Sequence, residues 1–218
     1  MATDAEKLAI RCVMRNIPSP CIVELGARTG EDEEWLRAAC GEDPHYIMVE
    51  PDMWNAQKIL DHPRGLDQNR KLILGAVSDE NGSITFWTSL NNKDDSRTSG
   101  SIRRPLYSHT CKYPDVRFRD EPIVVPSWTL DSIFAKDWLT KIDLLWVDIQ
   151  GAEGDMIIGG RRALERTRYL FMEVEDVELY RGQALRSDLL GMLQGWRLIQ
   201  DFGDNVLLLN PNMIEGRL

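Results

Sequence analysis

The stretch Cys21-Ile22-Val23-Glu24-Leu25-Gly26-Ala27-Arg28-Thr29-Gly30 constrains the fold more than any other part of the chain. It is an apolar run of strand length that ends in an acid and a two-glycine turn, after which Trp35, Leu36 and Ala39 recur at helical spacing within 31–40. A second apolar run, His45 to Val49, closes on Glu50-Pro51-Asp52. Strand, glycine turn, helix and strand make one β-α-β unit with Glu50 at the tip of its second strand. A carboxylate there accepts hydrogen bonds from ribose hydroxyls, so the unit outlines a nucleoside-cofactor site.

What the loop lacks narrows the cofactor. A dinucleotide fingerprint also needs glycines at positions 28 and 31, so that backbone can approach a pyrophosphate and the helix can pack closely. Arg28 and Glu31 stand there instead. The helix opens with Glu31-Asp32-Glu33-Glu34, acids where a pyrophosphate would meet the positive end of the helix dipole, and a phosphate is repelled. S-adenosylmethionine has no phosphate and carries a sulfonium cation. The acid at Glu24, the small turn Gly26-Ala27 and a ribose-binding Glu50 suit it better. The competing reading is an ordinary turn followed by solvated acids.

A chain of 218 residues is most simply one domain, able to bury roughly 70% of its unfolded surface. Hydrophobic residues make up 43% and charged ones 28%, and no stretch reaches the ~20 apolar residues of a membrane span. Met1 to Asn16 reads as an amphipathic helix through Leu8, Ile10, Val13 and Met14. Its acidic Asp4 and Glu6 argue against a signal peptide, which places the protein in the cytoplasm. The cysteines, Cys12, Cys21, Cys40 and Cys111, lie far apart without a Cys-x-x-Cys pair, so neither a zinc site nor a disulfide framework is indicated. A net charge of -9 disfavours nucleic acid as a partner. Ile214-Glu215-Gly216-Arg217 spells a protease recognition sequence used in expression vectors, and 214–218 is set apart from the 1–213 domain as a vector remnant.

Beyond the first unit, Met53 to Leu60 reads as a helix and Lys71 to Ser78 as a third strand, whose terminal small residues Ala76, Val77 and Ser78 leave room for a flat ring. Asp79-Glu80-Asn81-Gly82 is a turn signal, and the alternation of Ser83 to Trp87 predicts a β-extension or hairpin. Residues 90–121 lack sustained periodicity. From 96 to 119 they carry Arg97, Arg103, Arg104, Lys112, Arg117 and Arg119 against Asp115 alone, and read as a basic lid over the substrate or as a solvated loop. Leu130 to Trp138 predicts a helix, Ile142 to Ile149 a strand, Glu153 to Leu164 a helix, Arg168 to Val174 a strand and Leu185 to Gln194 a helix. Trp196 to Gln200 and Val206 to Leu209 close the chain as an antiparallel hairpin. About seven strands alternating with helices give an α/β fold: a Rossmann-like, mostly parallel sheet covered on both faces, with ligands beyond its carboxyl ends.

The motifs resemble the FkbM-type branch of class I S-adenosylmethionine-dependent methyltransferases over most of the chain. They are Val23-Glu24-Leu25-Gly26 with Gly30, Val49-Glu50-Pro51-Asp52, Gly75-Ala76-Val77-Ser78-Asp79 with Asn81-Gly82, Val125 to Asp131, Ile142 to Glu153, and Glu173-Val174. The blocks Thr129-Leu130-Asp131 and Asp148 to Glu153, in this order, are the specific ones. The resemblance implies O-methylation of a hydroxyl, often on sugars or secondary metabolites. It places Glu24, Gly26 and Gly30 near the methionine moiety, Glu50 on the ribose, Ala76 and Val77 beside the adenine, and Asp148 at the reacting end. Ala27, Pro51 and Asp52 complete the cofactor set. Gln150 stands where the family often has glutamate and Trp146 where lysine is frequent, which weakens the case for a divalent metal, and none is expected.

Methyl transfer asks mainly for two molecules held in line, with a base near the acceptor hydroxyl. Asp148, Glu173 and His109 are the candidates. Asp148 could instead cap the next helix, Glu173 could be salt-bridged, and His109 is a single loop histidine. The seven tryptophans are core candidates, with Trp87 or Trp128 able to stack on a sugar. The acceptor is a hydroxyl on a small molecule or glycan. An anionic acceptor follows if Arg97, Arg103 and Arg104 touch it, and neutral acceptors stay open. The rival readings are a catalytically silent cofactor-binding module that serves as a partner-interaction domain and, less well supported, an NAD(P)-dependent oxidoreductase.

Overall fold

The computed structural model describes residues 2–41, 43–94, 96–137 and 139–214. Trp138, the last residue of one expected helix, and most of the 214–218 tail lie outside them. The first half contains α1 (Asp4–Met14), β1 (Cys21–Leu25), α2 (Glu33–Cys40), β2 (His45–Glu50), α3 (Met53–Leu60), β3 (Arg70–Leu74), β4 (Ala76–Val77), β5 (Gly82–Phe86) and β6 (Ser89–Asn91). The second half contains α4 (Tyr107–Lys112), β7 (Val116–Phe118), β8 (Ile123–Trp128), α5 (Leu130–Lys136), β9 (Ile142–Val147), α6 (Glu153–Gly159), α7 (Arg161–Glu165), β10 (Thr167–Glu173), α8 (Arg186–Met192), β11 (Arg197–Asp201) and β12 (Asn205–Leu209). Seven strands form one sheet in the order β11-β12-β10-β9-β1-β2-β3. Within it β12 runs antiparallel to both its neighbours, and the pairs among β10, β9, β1, β2 and β3 are parallel.

Both faces of the sheet are covered, and alternate residues of each central strand sort between them. Val23, Leu25, Ile47, Val49, Leu145 and Val147 join the core beneath α5 to α8. Ile22, Tyr46, Met48, Leu144, Trp146 and Phe171 join the core beneath α1 to α3. A strand buried on both faces carries no polar alternation, which is why these runs read as continuously apolar. Sheet order reverses between β1 and β9, so the crevice for a ligand opens at the ends of these two strands.

Three expectations are corrected. The third strand stops at Leu74, because Gly75 (φ +142°) turns the chain out of the sheet; Ala76–Val77 then pairs with Ser127–Trp128 in a separate three-stranded sheet with β5. A Cβ at Gly75 would lie 2.7 Å from Trp128 Nε1 and 2.8 Å from the Pro126 carbonyl, so only glycine passes this point. The long helix from Glu153 breaks at Gly159-Gly160, where a Cβ would meet the Ser78 carbonyl at 2.6 Å and Leu130 at 2.8 Å. Residues 90–121 are not structureless: β6 and β7 pair antiparallel, and α4 lies between them.

Candidate active site

The turn after β1 is sewn to its neighbours through the backbone. Gly26 and Ala27 donate to the Val49 carbonyl (3.0 and 3.1 Å), and Asp148 N–H donates to the Leu25 carbonyl (3.0 Å). A Cβ on Gly26 would stand 1.9 Å from the Asp148 carbonyl oxygen, so the two strand ends can come this close only with glycine there. Beyond them lies a cleft with about 550 Å³ of empty space, open solvent at its mouth included. Gly26, Glu50, Pro51, Asp52, Ala76, Val77 and Asp148 of the expected cofactor set line it, and Arg97 closes one side.

Glu50 sits at the centre of a local network. It accepts from Arg28 N–H (2.8 Å), Asp52 N–H (2.8 Å) and Asn55 Nδ2 (3.3 Å). Burial pushes its carboxyl up to about 8, against the pull of these donors. Asn55 Oδ1 is buried without a partner in a residue that lines the cleft. Phe86 and Ile102, which carry no motif signal, join Ala76 and Val77 on the apolar side.

Three members of the expected set lie elsewhere. Glu24 is buried beneath the turn on the α2 side, where it accepts from the Tyr46 hydroxyl (2.8 Å), and burial holds its carboxyl well above the usual range. Gly30 shapes the turn at φ +78° and lies against Ile59, away from the cleft lining. Ala27 lines an adjoining chamber that shares Gly26, Arg28, Thr98, Asp148 and Gln150 with the cleft and adds Asn91, Ser99 and Tyr113.

At the junction of the two chambers, Asp148 opens to solvent with Glu173 half-buried behind it. Gln150 Nε2 donates to Asp148 Oδ1 (2.6 Å) and to Glu173 Oε2 (2.9 Å). Burial pushes the Glu173 carboxyl well above the usual range, and the charges of Asp148, Glu153 and Glu175 raise it further. Sequence reasoning missed this role of Gln150 and that of Tyr180, whose hydroxyl bonds Gln150 Oε1 (2.8 Å); the signal was the departure from glutamate at position 150 itself.

His109 is not brought to this junction. It is fully buried, with its ring 4.9 to 5.1 Å from those of Tyr113, Phe118 and Tyr180, and both ring nitrogens lack a hydrogen-bond partner. Burial lowers its pKa to about 4, so it is neutral packing rather than a base that swings in on a loop. The arginines are likewise engaged. Arg97 pairs with Asp52 (3.0 Å) and lies over Trp54, Arg103 pairs with Asp155 (2.8 Å), and Arg104 lies over Trp87. Segment 97–102 is therefore a strap across the cleft, tied by Asn55 Nδ2 to the Arg97 carbonyl (3.0 Å), and not a row of free cations awaiting an anion.

The Methyltransferase FkbM domain model matches residues 24–206. The chain belongs to the FkbM methyltransferase family. Over 203 residues it is 37% identical to 2-O-methyltransferase NoeI of Sinorhizobium fredii, a match that covers 91% of this chain and 78% of NoeI. Among solved structures, methyltransferase FkbM from Methylobacillus flagellatus superposes with a TM-score of 0.52 at 16% identity, over 88% of this chain and 43% of that one. That likeness concerns the fold. Aeropyrum pernix fibrillarin, solved with bound S-adenosyl-L-methionine, gives 0.45 at 15% identity. As an FkbM-family member the chain is a methyltransferase by class, and the oxidoreductase reading falls away.

Proposed function

We propose that the chain methylates a hydroxyl oxygen on a sugar, glycan or hydroxylated secondary metabolite, with S-adenosylmethionine as the methyl donor. The observation that carries this reading is the cleft at the ends of β1, β2 and β9, with Glu50 and Asn55 at one position and Asp148 at another. Its residues fit that donor. Ala76, Val77, Phe86 and Ile102 offer an apolar slot for adenine, while Glu50 and the orphaned Asn55 Oδ1 can accept from ribose hydroxyls. When bound, S-adenosylmethionine supplies a methyl carbon made electrophilic by the sulfonium.

The protein's part is to hold the acceptor against that end and to take its proton. Asp148 faces the shared boundary of the two chambers and is the group we assign as base, with Glu173 and Gln150 behind it. The adjoining chamber then receives the acceptor. Because Arg97 and Arg103 are ion-paired with Asp52 and Asp155 and Arg104 lies over Trp87, a neutral acceptor suits the site better than an anionic one. The name of NoeI, a 2-O-methyltransferase, supports oxygen as the atom methylated.

Isothermal titration with S-adenosylhomocysteine and with NADH tests the cofactor. Binding of the first alone is expected, with at least a tenfold loss in Glu50→Ala, about 1.4 kcal/mol. Binding of NADH alone, or of neither, sinks the reading. Labelled methyl transfer to a panel of neutral saccharides then separates an enzyme from a silent cofactor-binding module.

A further inference from the structure

Gln150 occupies a backbone conformation that side-chain-bearing residues rarely adopt, at φ +54°. The surrounding structure holds it there. Ser101 Oγ, on the strap, donates to the Gln150 carbonyl (2.7 Å). Gly151 follows at φ +93°, and a Cβ on it would come within 3.0 Å of the Tyr180 ring, so the ring packs directly against the turn.

The side chain is as constrained as the backbone. Its two amide hydrogens go to Asp148 Oδ1 (2.6 Å) and Glu173 Oε2 (2.9 Å), and its oxygen accepts from the Tyr180 hydroxyl (2.8 Å), which also reaches the Ser99 carbonyl (3.0 Å). The opposite orientation of the amide would thrust its oxygen between two carboxyls, so the network dictates the one observed. A glutamate at this position would add a third carboxyl to the pair.

We propose that Gln150 is a positioning residue for methyl transfer: by donating to Asp148 and Glu173 at once it holds Asp148 toward the cleft and confines the pair's remaining proton to Glu173. This rests on the assignment of Asp148 to the reacting end. The environment favours the same allocation. Glu173 faces the charges of Asp148, Glu153 at the start of α6 and Glu175, the last of which is bound by Lys112 (2.7 Å). Asp148 faces Asp32 before α2, while the hydrogen bond from Gln150 favours its ionised form. Tyr180 and Tyr113, titratable neighbours among the described residues, are both raised and stay neutral as the carboxyls titrate. Ser101 and Ser99 of the strap join this network, through the Gln150 carbonyl and the Tyr180 hydroxyl.

Carbon-13 NMR of protein labelled at the Asp and Glu side-chain carboxyls tests this without an acceptor, using Asp148→Asn and Glu173→Gln to assign the resonances. In the parent chain Asp148 is expected to ionise at least one pH unit below Glu173. In Gln150→Glu the first ionisation of the pair should move up by at least one unit, a tenfold weaker acid. Coincident curves for the parent and Gln150→Glu, or an Asp148 that ionises after Glu173, would overturn the proposal. If Gln150→Glu does not fold, Tyr180→Phe, which frees the amide oxygen, should move the Asp148 midpoint up by about half a unit, and an unmoved midpoint again overturns it. Calorimetry with S-adenosylhomocysteine on the same parent sample reports separately on the cofactor reading, so the two can fail independently.

Discussion

Glu33 is gripped by two arginines. Arg70 donates Nε and Nη2 to it (2.9 and 2.8 Å), Arg37 donates Nε (2.8 Å), and Arg70 Nη1 turns to the Ile59 and Gly65 carbonyls (3.3 and 3.0 Å). Burial raises the Glu33 carboxyl, but the two guanidiniums outweigh it and the net shift is downward. The acids at the start of α2 therefore divide in purpose: Glu33 is structural, whereas Glu31 and Asp32 border the chamber adjoining the cleft. Glu33→Ala leaves the buried Arg70 without a counter-charge and should cost about 3–5 kcal/mol in urea denaturation. Combining Glu33→Leu with Arg70→Met should recover most of that loss, since a well-packed apolar pair needs no desolvation of charge. The cluster was hidden in the sequence because Glu33 and Arg70 are separated by a helix, a strand and a loop, and nothing in their spacing announces a contact.

Among elements, the strap and the sharp exit from β3 decide the shape of the cleft. Gly75→Ala should destabilise the chain by about 2–4 kcal/mol by urea denaturation, because both its positive φ and the Trp128 ring exclude a Cβ. Arg97→Ala removes the pair with Asp52 and the contact with Trp54, so stopped-flow displacement should show S-adenosylhomocysteine leaving at least tenfold faster. The strands of the main sheet and the cluster of Gly26, Glu50, Ala76, Val77 and Asp148 were legible because apolar runs and turn residues are local signals. The pairing of β5 with β8, the fold of 97–102 and the burial of His109 were not. Each depends on partners tens of residues away, and a short strand such as Val116–Phe118 carries too few residues to show a period.

At the scale of the molecule, buried acids tie stability to pH. Burial pushes Glu50 to about 8 and Glu153 to about 7, and holds Glu24 and Glu173 well above the usual carboxyl range. Each binds a proton in the native state that the unfolded chain has already released, so their contribution is fully present below the ordinary carboxyl pKa of 4.5 and is lost as pH rises through the raised values. Urea midpoints should fall between pH 6 and pH 9, and Glu50→Gln should flatten the slope by up to about 1.4 kcal/mol per pH unit across its window. No helix among the described residues is long and apolar enough to cross a membrane.

The position of β12 bears on how such a chain comes to be folded. This strand lies between β10 and β11, with Leu207 contributing to one core and Leu208 to the other. Residues 205–209 thus wedge into a gap that earlier segments leave open, and β10 has no neighbour on that side until they arrive. On a ribosome the β1-β2-β3 half can assemble while synthesis continues, but the sheet closes only after Leu209 has emerged. A nascent chain arrested before that point would expose an unpaired strand edge, and chaperone capture is the fate such an edge invites.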